Sequence, residues 1–193
     1  MNTSFLFHSR LSQKYDLPQR IITEEITKAK RMMMPLQKHI CVNNEFYHVT
    51  KTGAGPIITP FGRFFLLNFH MNDRWQQYRI IIKATMDATF ALPIFDPSKE
   101  IFLRIDSGCS PGQIYHDQRC DCREQMSLAL QLLAKADQGI IIHIPEQSGR
   151  GKGMDFQLAT LYLEETLGLD TIEAFTAFQG EDISLDKIGR AHV

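Results

Sequence analysis

The chain has 193 residues, of which 44% are hydrophobic and 22% charged, a composition typical of an ordinary globular protein with one domain and a small appendage. Its formal net charge of −1 excludes a bulk electrostatic attraction to nucleic acid or to an anionic membrane. No apolar run approaches the roughly 20 residues that cross a bilayer, and the N-terminus lacks the apolar segment of a secretory signal, so we expect a cytoplasmic protein that binds neither nucleic acid nor membrane.

The first predicted element is a short amphipathic helix. Residues 17–34 carry helix-forming side chains with charged ones interspersed, and Pro35 interrupts this pattern. We interpret residues 1–52 as a partly helical N-terminal extension without a chemical role. The Gly-Ala-Gly-Pro cluster that begins at Gly53 then marks the start of a main domain, which we place at residues 53–187.

Three strands are predicted in the first half of the main domain. Residues 61–69 and 78–84 are rich in β-branched and aromatic side chains and flank a polar stretch, which predicts a hairpin or two adjacent strands. A third strand at 101–105 ends shortly before Cys109. Because functional sites often lie at the carboxyl ends of strands in α/β sheets, this position is a candidate site.

The second half of the main domain predicts a strand, helix, strand unit. Residues 124–136 have the apolar pattern of a helix with one buried face, and Asp121 precedes them as a candidate cap. Residues 140–144 are apolar except for His143, a composition typical of a sheet covered on both faces, and another helix follows at 156–167. We therefore predict an α/β fold with a mixed β-sheet and flanking helices.

A glycine-rich basic loop precedes the last of these helices. Residues 145–153 contain glycines that alternate with Arg150 and Lys152. Bare backbone amides, a helix N-terminus and two cations together suit a phosphate group. Basic surface turns of this composition also occur without a ligand, so the loop alone leaves both interpretations open.

The cysteines are the strongest chemical signal in the chain. Cys109, Cys120 and Cys122 lie close together in sequence, which suits a metal site in a reducing compartment, whereas Cys41 stands apart as a buried or incidental thiol. In an extended Cys-x-Cys segment both sulfur atoms point to the same side and can reach one ion. Three protein thiolates that leave a fourth position for water are typical of catalytic zinc.

Two other interpretations of these cysteines stay open from spacing alone. A closed structural zinc site would need a fourth ligand, for which His116, His143 and Cys41 are the candidates. The thiols could also be free, with no metal at all.

Several blocks in order carry a resemblance to a known family. They are Leu-Arg-Ile-Asp-Ser-Gly-Cys at 103–109, Arg-Cys-Asp-Cys at 119–122 with Gln125, Gly-Ile-Ile at 139–141 and Gln-Ser-Gly-Arg-Gly-Lys-Gly at 147–153. Their order and spacing closely resemble GTP cyclohydrolase II, over residues 59–182. The resemblance implies a hydrolase in which zinc-activated water opens the imidazole ring of GTP, formate leaves, and pyrophosphate is released with Mg²⁺ assisting. It further implies a role in riboflavin synthesis, GTP or a related purine nucleotide as substrate, and a homodimer.

The resemblance also assigns roles to positions of this chain. The implied Zn²⁺ ligands are Cys109, Cys120 and Cys122. The implied substrate contacts are Arg104, Ile105, Asp106, Ser107, Gly108, Gln125, Ser148, Gly149, Arg150 and Thr171. The implied catalytic residues are Tyr162 and Asp182.

The chain departs from the family pattern at several of these positions. The family usually has His and Glu where this chain has Asp106 and Gly108, and Glu where it has Ser148. A family Asp-x-Arg pair is also missing: Glu181 or Asp182 could supply the acid, but no arginine follows in place. Ring opening is therefore better supported than pyrophosphate release. The alternatives are a catalytically impaired purine-nucleotide-binding module and a ring-opening hydrolase for another purine or heterocycle.

The C-terminus carries a separate expectation. Residues 188–193 read as the translation of a common sequencing adapter, so we expect an artificial tail there, with a short random peptide as the alternative. Because family members continue further, we also expect the catalytic domain to be incomplete at its C-terminus.

Overall fold

A computed structural model describes residues 3–87, 92–147 and 151–179. Its helices are α1 Thr3–Tyr15, α2 Gln19–Met32, α3 Ser110–Gln113, α4 Cys122–Lys135, α5 Met154–Leu167 and α6 Thr171–Gln179. Its strands are β1 Leu36–Val42, β2 Glu45–Thr59, β3 Gly62–Met71, β4 Asp73–Lys83, β5 Thr85–Met86, β6 Pro93–Ile94, β7 Phe102–Asp106 and β8 Gly139–His143. Predictions that fall outside the described residues are those for Ser148, Gly149, Arg150, Asp182 and the tail at 188–193.

The main sheet has the strand order β1-β2-β3-β4-β8-β7, and β5 pairs with β6 in a separate two-stranded sheet. Strands β7 and β8 are parallel and are connected through α4, whereas the other neighbours in the main sheet are antiparallel. This arrangement confirms the predicted mixed α/β fold. The predicted hairpin is also present as β3 and β4, and the strand, helix, strand unit as β7, α4 and β8.

The N-terminal region contributes strands as well as helices. The predicted amphipathic helix is present as α2, which ends at Met32, shortly before Pro35. Beyond it, β1 and β2 form a hairpin at the edge of the main sheet, and the predicted boundary between residues 52 and 53 falls inside β2. Residues 36–52 therefore belong to the same sheet as the rest of the main domain. None of the described helices has the length and apolar composition needed to span a bilayer.

The core lies between α4 and one face of the sheet. Its buried members are Phe64, Ala129, Leu133 and Ile141, from β3, α4 and β8. Helix α4 lies on β7 and β8 because its apolar positions recur with helical spacing and form a single stripe. The N-terminus of α4 is thereby held close to the carboxyl ends of these strands.

The opposite face of the sheet is covered only in part. Lys51 and Leu67 lie on this face, where the Lys51 ammonium donates a hydrogen bond to the Met32 carbonyl at 3.1 Å and so ties α2 to β2. At the other end of this face, Leu103 and Ile105 of β7 are 58% and 46% exposed. The strand whose composition predicted cover on both faces, β8, has only buried and half-buried residues. The exposed positions described here lie on the edge strand β7, whereas α2 packs on β2.

Candidate metal centre

Three cysteine side chains meet where β7 ends and α4 begins. Cys109 lies between β7 and α3, Cys120 lies just before α4, and Cys122 is the first residue of α4. Their sulfur atoms all lie within 4.8 Å of one another, and the Sγ atoms of Cys109 and Cys120 are 3.8 Å apart. The structure therefore brings together the three residues that the sequence predicted as metal ligands.

The backbone conformation of the Cys-x-Cys segment differs from the predicted one. Asp121 has φ −97° and ψ 17°, so the segment is not extended, and the chain turns directly into α4. The prediction that an extended segment would align the two sulfur atoms is wrong. Asp121 is nevertheless the residue before the helix, although its carboxylate accepts a hydrogen bond from the Gln125 amide at 2.9 Å and none from the helix backbone.

A glycine provides the space for the cluster. Gly112 of α3 is buried, and a methyl group added to it would overlap the Cys120 sulfur and lie 3.5 Å from the Cys109 sulfur. The backbone of α3 can therefore approach the three sulfur atoms closely. The cluster lies against main chain and not against another side chain at this point.

The donor set and its spacing fit a zinc ion. Tetrahedral coordination with Zn–S bonds of about 2.3 Å places the sulfur atoms about 3.8 Å apart, which is the distance between Cys109 and Cys120. Among the described residues, no histidine, carboxylate or fourth cysteine joins the group. Three thiolates would thus hold the ion and leave one coordination position for water or substrate.

None of the three candidate fourth ligands joins the cysteine cluster. The His143 ring is hydrogen-bonded to Asp106, and the His116 Nδ1 atom accepts a hydrogen bond from Arg123 at 3.2 Å. Cys41 is exposed on β1, at the opposite edge of the sheet from β7. Within the part of the chain that the structure describes, these contacts favour an open site over a structural one.

Hydrogen bonds within the cluster shift the pKa values of Cys109 and Cys122 in opposite directions. The thiol of Cys122 donates a hydrogen bond to the Cys109 sulfur, which lowers the pKa of Cys109 to about 5. The same hydrogen bond, together with burial, raises the pKa of Cys122 above its usual range, and burial raises that of Cys120. A metal ion held by all three sulfur atoms would deprotonate the thiols, so metal binding would release protons.

Two of the predicted substrate contacts bind each other. The Arg104 guanidinium on β7 donates a hydrogen bond to the Gln125 side-chain carbonyl on α4 at 3.0 Å. Because side chains alternate along a strand, Ile105 points to the opposite face of the sheet from Arg104. Ser107 is exposed in the loop that follows β7.

Gly108 is required by the backbone of this loop. Its φ is +32°, and a Cβ atom there would lie 2.9 Å from both the Ile144 carbonyl oxygen and the Pro145 Cα atom. The loop that carries Cys109 is thus packed tightly against the end of β8. A residue with a side chain would not fit at this position without a backbone shift.

Asp106 is a buried carboxylate with several hydrogen-bond donors around it. Gln113 donates to its two oxygens at 3.0 and 3.1 Å, the His143 Nδ1 atom lies 2.6 Å from Oδ2, and the Gly108 backbone N–H also donates. Burial alone would raise the pKa of Asp106, but these donors outweigh it and the pKa is lowered. Asp106 is therefore ionised and fully engaged inside the protein.

Helix α5 supplies a contact that sequence reasoning missed. The Gln157 amide donates a hydrogen bond to the Cys109 sulfur at 3.4 Å, while its Oε1 atom is buried without a partner among the described residues. Tyr162 lies on the same helix, 66% exposed and roughly 140° around the axis from Gln157. No sequence signal identified Gln157, because its contact depends on how α5 packs against a loop far away in sequence.

Thr171 begins the helix that follows α5. The Asp170 carboxylate caps this helix by accepting hydrogen bonds from the backbone N–H groups of Ile172 and Glu173, both at 2.8 Å. The Glu173 carboxylate in turn accepts from the Asp170 backbone N–H at 2.9 Å, which completes a reciprocal cap. The cap fixes where the exposed Thr171 side chain leaves the helix.

The fold and this cluster define a class of protein: a mixed α/β domain with three cysteine ligands for a metal ion beside the ends of its parallel strands. Residues 51–187 match the family described as GTP cyclohydrolase II, and the chain belongs to that family.

Curated relatives agree with this assignment. Riboflavin biosynthesis protein RibBA of Endomicrobium trichonymphae is 31% identical over 114 residues, which cover 56% of this chain and 28% of that protein. RibBA of Aquifex aeolicus is 28% identical over 126 residues, which cover 65% of this chain and 29% of that protein. The probable bifunctional riboflavin biosynthesis protein RIBA 1, chloroplastic, of Oryza sativa subsp. japonica is 33% identical over 108 residues. These residues cover 56% of this chain and 19% of that protein. The chain thus spans less than a third of the length of these relatives.

Proposed function

We propose that this chain is a zinc-dependent hydrolase that opens the imidazole ring of GTP, or of a closely related purine nucleotide, with release of formate and pyrophosphate, as a step in riboflavin synthesis. The observation that carries the proposal is the cluster of Cys109, Cys120 and Cys122 inside the region that matches the GTP cyclohydrolase II family. The cluster requires reduced thiols, which supports a cytoplasmic location.

The three cysteines would hold the zinc ion. When bound, zinc supplies Lewis acidity that lowers the pKa of a water molecule toward neutrality and makes it a nucleophile for C8 of guanine. Gln157 donates to the Cys109 sulfur and so limits the negative charge on that ligand. Its buried Oε1 atom is an acceptor beside the cluster that would orient the attacking water or an N–H group of the base.

The remaining predicted contacts would bind the nucleotide around this centre. Arg104, Ile105, Ser107 and Gln125 lie at the end of β7 and on the facing turn of α4, and Thr171 lies at the start of α6. The loop with Ser148, Gly149 and Arg150 would bind the phosphates, with Mg²⁺ arriving as part of the triphosphate substrate. Asp106 is buried, so in this proposal it shapes the pocket and does not contact the substrate. Tyr162 and Asp182 stay predicted catalytic residues, and the homodimer stays a prediction that sedimentation measurements can check.

A second candidate function is a nucleotide-binding module that has lost turnover. The burial of Asp106, at a position where the related family usually has a histidine, favours this alternative because a buried carboxylate cannot replace a substrate contact. Gly108 also favours the binding module, because the tight packing around it excludes the glutamate that the family usually has at this position.

Formate release from GTP distinguishes the two functions. The purified protein is incubated with GTP, zinc and magnesium, and formate is measured with a coupled dehydrogenase, with Cys120→Ser as the inactive variant and Cys41→Ser as the matched control. Zinc-dependent formate that is lost in Cys120→Ser and retained in Cys41→Ser would support the hydrolase. Tight binding of zinc and GTP without formate would favour the binding module, and formate from another purine nucleotide alone would assign a different substrate.

A further inference from the structure

A pair formed by a buried carboxylate and a partly buried histidine lies next to the loop that carries the first metal ligand. His143 ends β8 and Asp106 ends β7, and the two residues are partners in the parallel register of these strands. The His143 Nδ1 atom is 2.6 Å from the Asp106 Oδ2 atom, with the side chains only 19% and 8% exposed. The pair therefore lies inside the protein, at the edge of the sheet from which the Cys109 loop emerges.

The hydrogen-bond chain continues from this pair to Cys109. The Gln113 amide donates to both oxygens of Asp106, and the Gln113 side-chain carbonyl accepts from the Cys109 backbone N–H at 3.3 Å. The backbone N–H of Gln113 also donates to the Cys109 carbonyl at 2.8 Å. Both backbone polar groups of Cys109 are thus held by Gln113, whose own side chain is fixed by Asp106.

The direction of the hydrogen bonds follows from the chemistry of the groups. An ionised carboxylate can only accept hydrogen bonds, so the His143 Nδ1 atom must carry the proton and donate it to Asp106. The Gln113 Nε2 group likewise donates to the carboxylate, which leaves Gln113 Oε1 free to accept from Cys109. If the His143 donor were removed, Asp106 would lose one of the contacts that fix its orientation, and Gln113 could rotate with it.

The loop that carries Cys109 also packs directly against the His143 ring, in addition to its hydrogen-bonded connection through Gln113 and Asp106. A Cβ atom on Gly108 would lie 3.2 Å from the His143 Cε1 atom, so the imidazole ring forms part of the surface under the loop.

We propose that His143 is a positioning residue for the metal centre, which acts through Asp106 and Gln113 to hold Cys109 in the orientation that binds the ion. This inference rests on the proposed zinc site. Outer hydrogen-bond partners of metal ligands are worth about 10–100-fold in metal affinity, and the ordered chain from His143 to Cys109 has this kind of role. What His143 must supply is an N–H donor at the Nδ1 position, and not an ionisable ring.

Cobalt binding tests this role without depending on catalysis. The full chain is titrated with Co²⁺, and the thiolate-to-cobalt charge-transfer band and the visible bands of tetrahedral cobalt report affinity and geometry. We expect His143→Leu to weaken binding at least about tenfold and to reduce the tetrahedral bands. His143→Asn, whose amide N–H lies near the position of Nδ1, should restore most of the affinity.

Two further variants make the result specific. Gln113→Leu breaks the same chain between Asp106 and Cys109 and should weaken cobalt binding by a similar factor, even if His143→Leu does not fold. His70→Leu is the control. His70 lies on β3, where it is paired with Thr50 of β2 and Gln77 of β4 and has no part in the chain from His143 to Cys109, so its loss should leave cobalt binding unchanged. A histidine with a merely structural role would lower the melting temperature on substitution without changing the cobalt affinity or spectrum.

The outcomes separate this inference from the proposed function. Equal cobalt affinity and spectra in the unsubstituted chain and in folded His143→Leu and Gln113→Leu would overturn the positioning role and leave the metal site intact. Failure of His143→Asn to restore affinity lost in His143→Leu would also overturn it. A chain that binds neither cobalt nor zinc would overturn both the proposed metal site and this inference.

Discussion

At the scale of single residues, the metal centre depends on the absence of a side chain at Gly112. The backbone φ of this residue is not in the left-handed region, so alanine is compatible with its conformation. The methyl group of Gly112→Ala would nevertheless overlap the Cys120 sulfur and force it away from its partners. We expect this variant to raise the dissociation constant for Co²⁺ or Zn²⁺ by at least about tenfold while the protein stays folded, as measured by metal titration and circular dichroism.

The matched control is Gly55→Ala in β2, where an added methyl group meets no atom within 4 Å. This variant should bind metal as the unsubstituted protein does. Unchanged metal affinity in Gly112→Ala would contradict the close approach of α3 to the cluster.

Asp106 predicts a pH dependence of stability. Burial raises the pKa of this carboxyl, but the hydrogen bonds from His143 and Gln113 together lower it by more than burial raises it. The folded-state pKa therefore lies below the ordinary value of 3.8. The unfolded chain therefore binds this proton at a higher pH than the folded chain, and the stabilisation from ionised Asp106 is lost as the pH falls through its folded-state pKa. Asp106→Asn should lose stability less steeply than the unsubstituted protein between about pH 5 and pH 3, measured by urea unfolding.

Glu100→Gln serves as the comparison for this experiment, because Glu100 is exposed and lies outside the helices and strands. Its unfolding free energy should follow that of the unsubstituted protein across the same pH range. Parallel curves for Asp106→Asn and the unsubstituted protein would argue against the network around Asp106.

Several of these residue-level features could not be predicted from the sequence. The thiolate cluster was predictable because its members are close along the chain and cysteines are chemically distinctive. The pair of Asp106 and His143 was not, since it depends on the parallel register of β7 and β8, which join residues far apart in sequence. Gln157 was missed for the same reason, and a histidine at the end of an apolar strand gave no hint of its partner.

At the scale of elements, α4 is anchored to the sheet at the end opposite the cysteines. The Lys83 ammonium at the end of β4 donates hydrogen bonds to the Ala134 and Ala136 carbonyl oxygens at 2.7 and 2.6 Å. These carbonyls belong to the C-terminal end of the helix, where a cation also interacts favourably with the helix dipole. Lys83→Met keeps most of the aliphatic stem but removes the donor, and we expect it to lower the unfolding free energy by about 1–3 kcal/mol in urea unfolding.

Lys135→Met is the matched variant, because this exposed lysine lies in the last turn of α4. Its loss removes a charge near the same helix end without the two buried hydrogen bonds, so the change should stay within about 0.5 kcal/mol. Equal effects of the two substitutions would mean that charge alone, and not the anchoring of β4 to α4, stabilises this end of the helix.

The type of most elements followed from periodicity, whereas local geometry at their ends did not. A composition rich in β-branched and aromatic residues correctly predicted β3 and β4. A helical stripe of apolar residues correctly predicted α4, because burial of one helix face dictates that pattern. The prediction of an extended Cys-x-Cys segment was wrong because the start of α4 determines the conformation of Asp121, and a helix start has no apolar periodicity that the sequence would reveal. The strands β1 and β2 also went unpredicted, since their exposed positions give little contrast between faces.

At the scale of the whole molecule, the cysteine cluster lies where the loop after β7, the start of α4 and helix α5 meet. Cys109 follows β7, Cys120 lies just before α4, Cys122 begins α4, and the Gln157 amide on α5 donates to the Cys109 sulfur. An ion held by all three thiolates would bind the folded chain far better than the unfolded one, so binding adds to global stability and not only to the site.

This coupling predicts a measurable effect of metal removal. At a free zinc concentration of about 100 times the dissociation constant, binding adds about 2.7 kcal/mol to the unfolding free energy. For a chain of this size the melting temperature should then rise by roughly 5–10 °C over that of chelator-treated protein, measured by scanning calorimetry. Cys120→Ser should abolish most of this rise, whereas Cys41→Ser, which changes an exposed thiol on the edge strand β1, should retain it. A zinc-dependent rise that persists in Cys120→Ser would mean that the ion binds elsewhere, because two thiolates alone cannot link the β7 loop to α4 with comparable affinity.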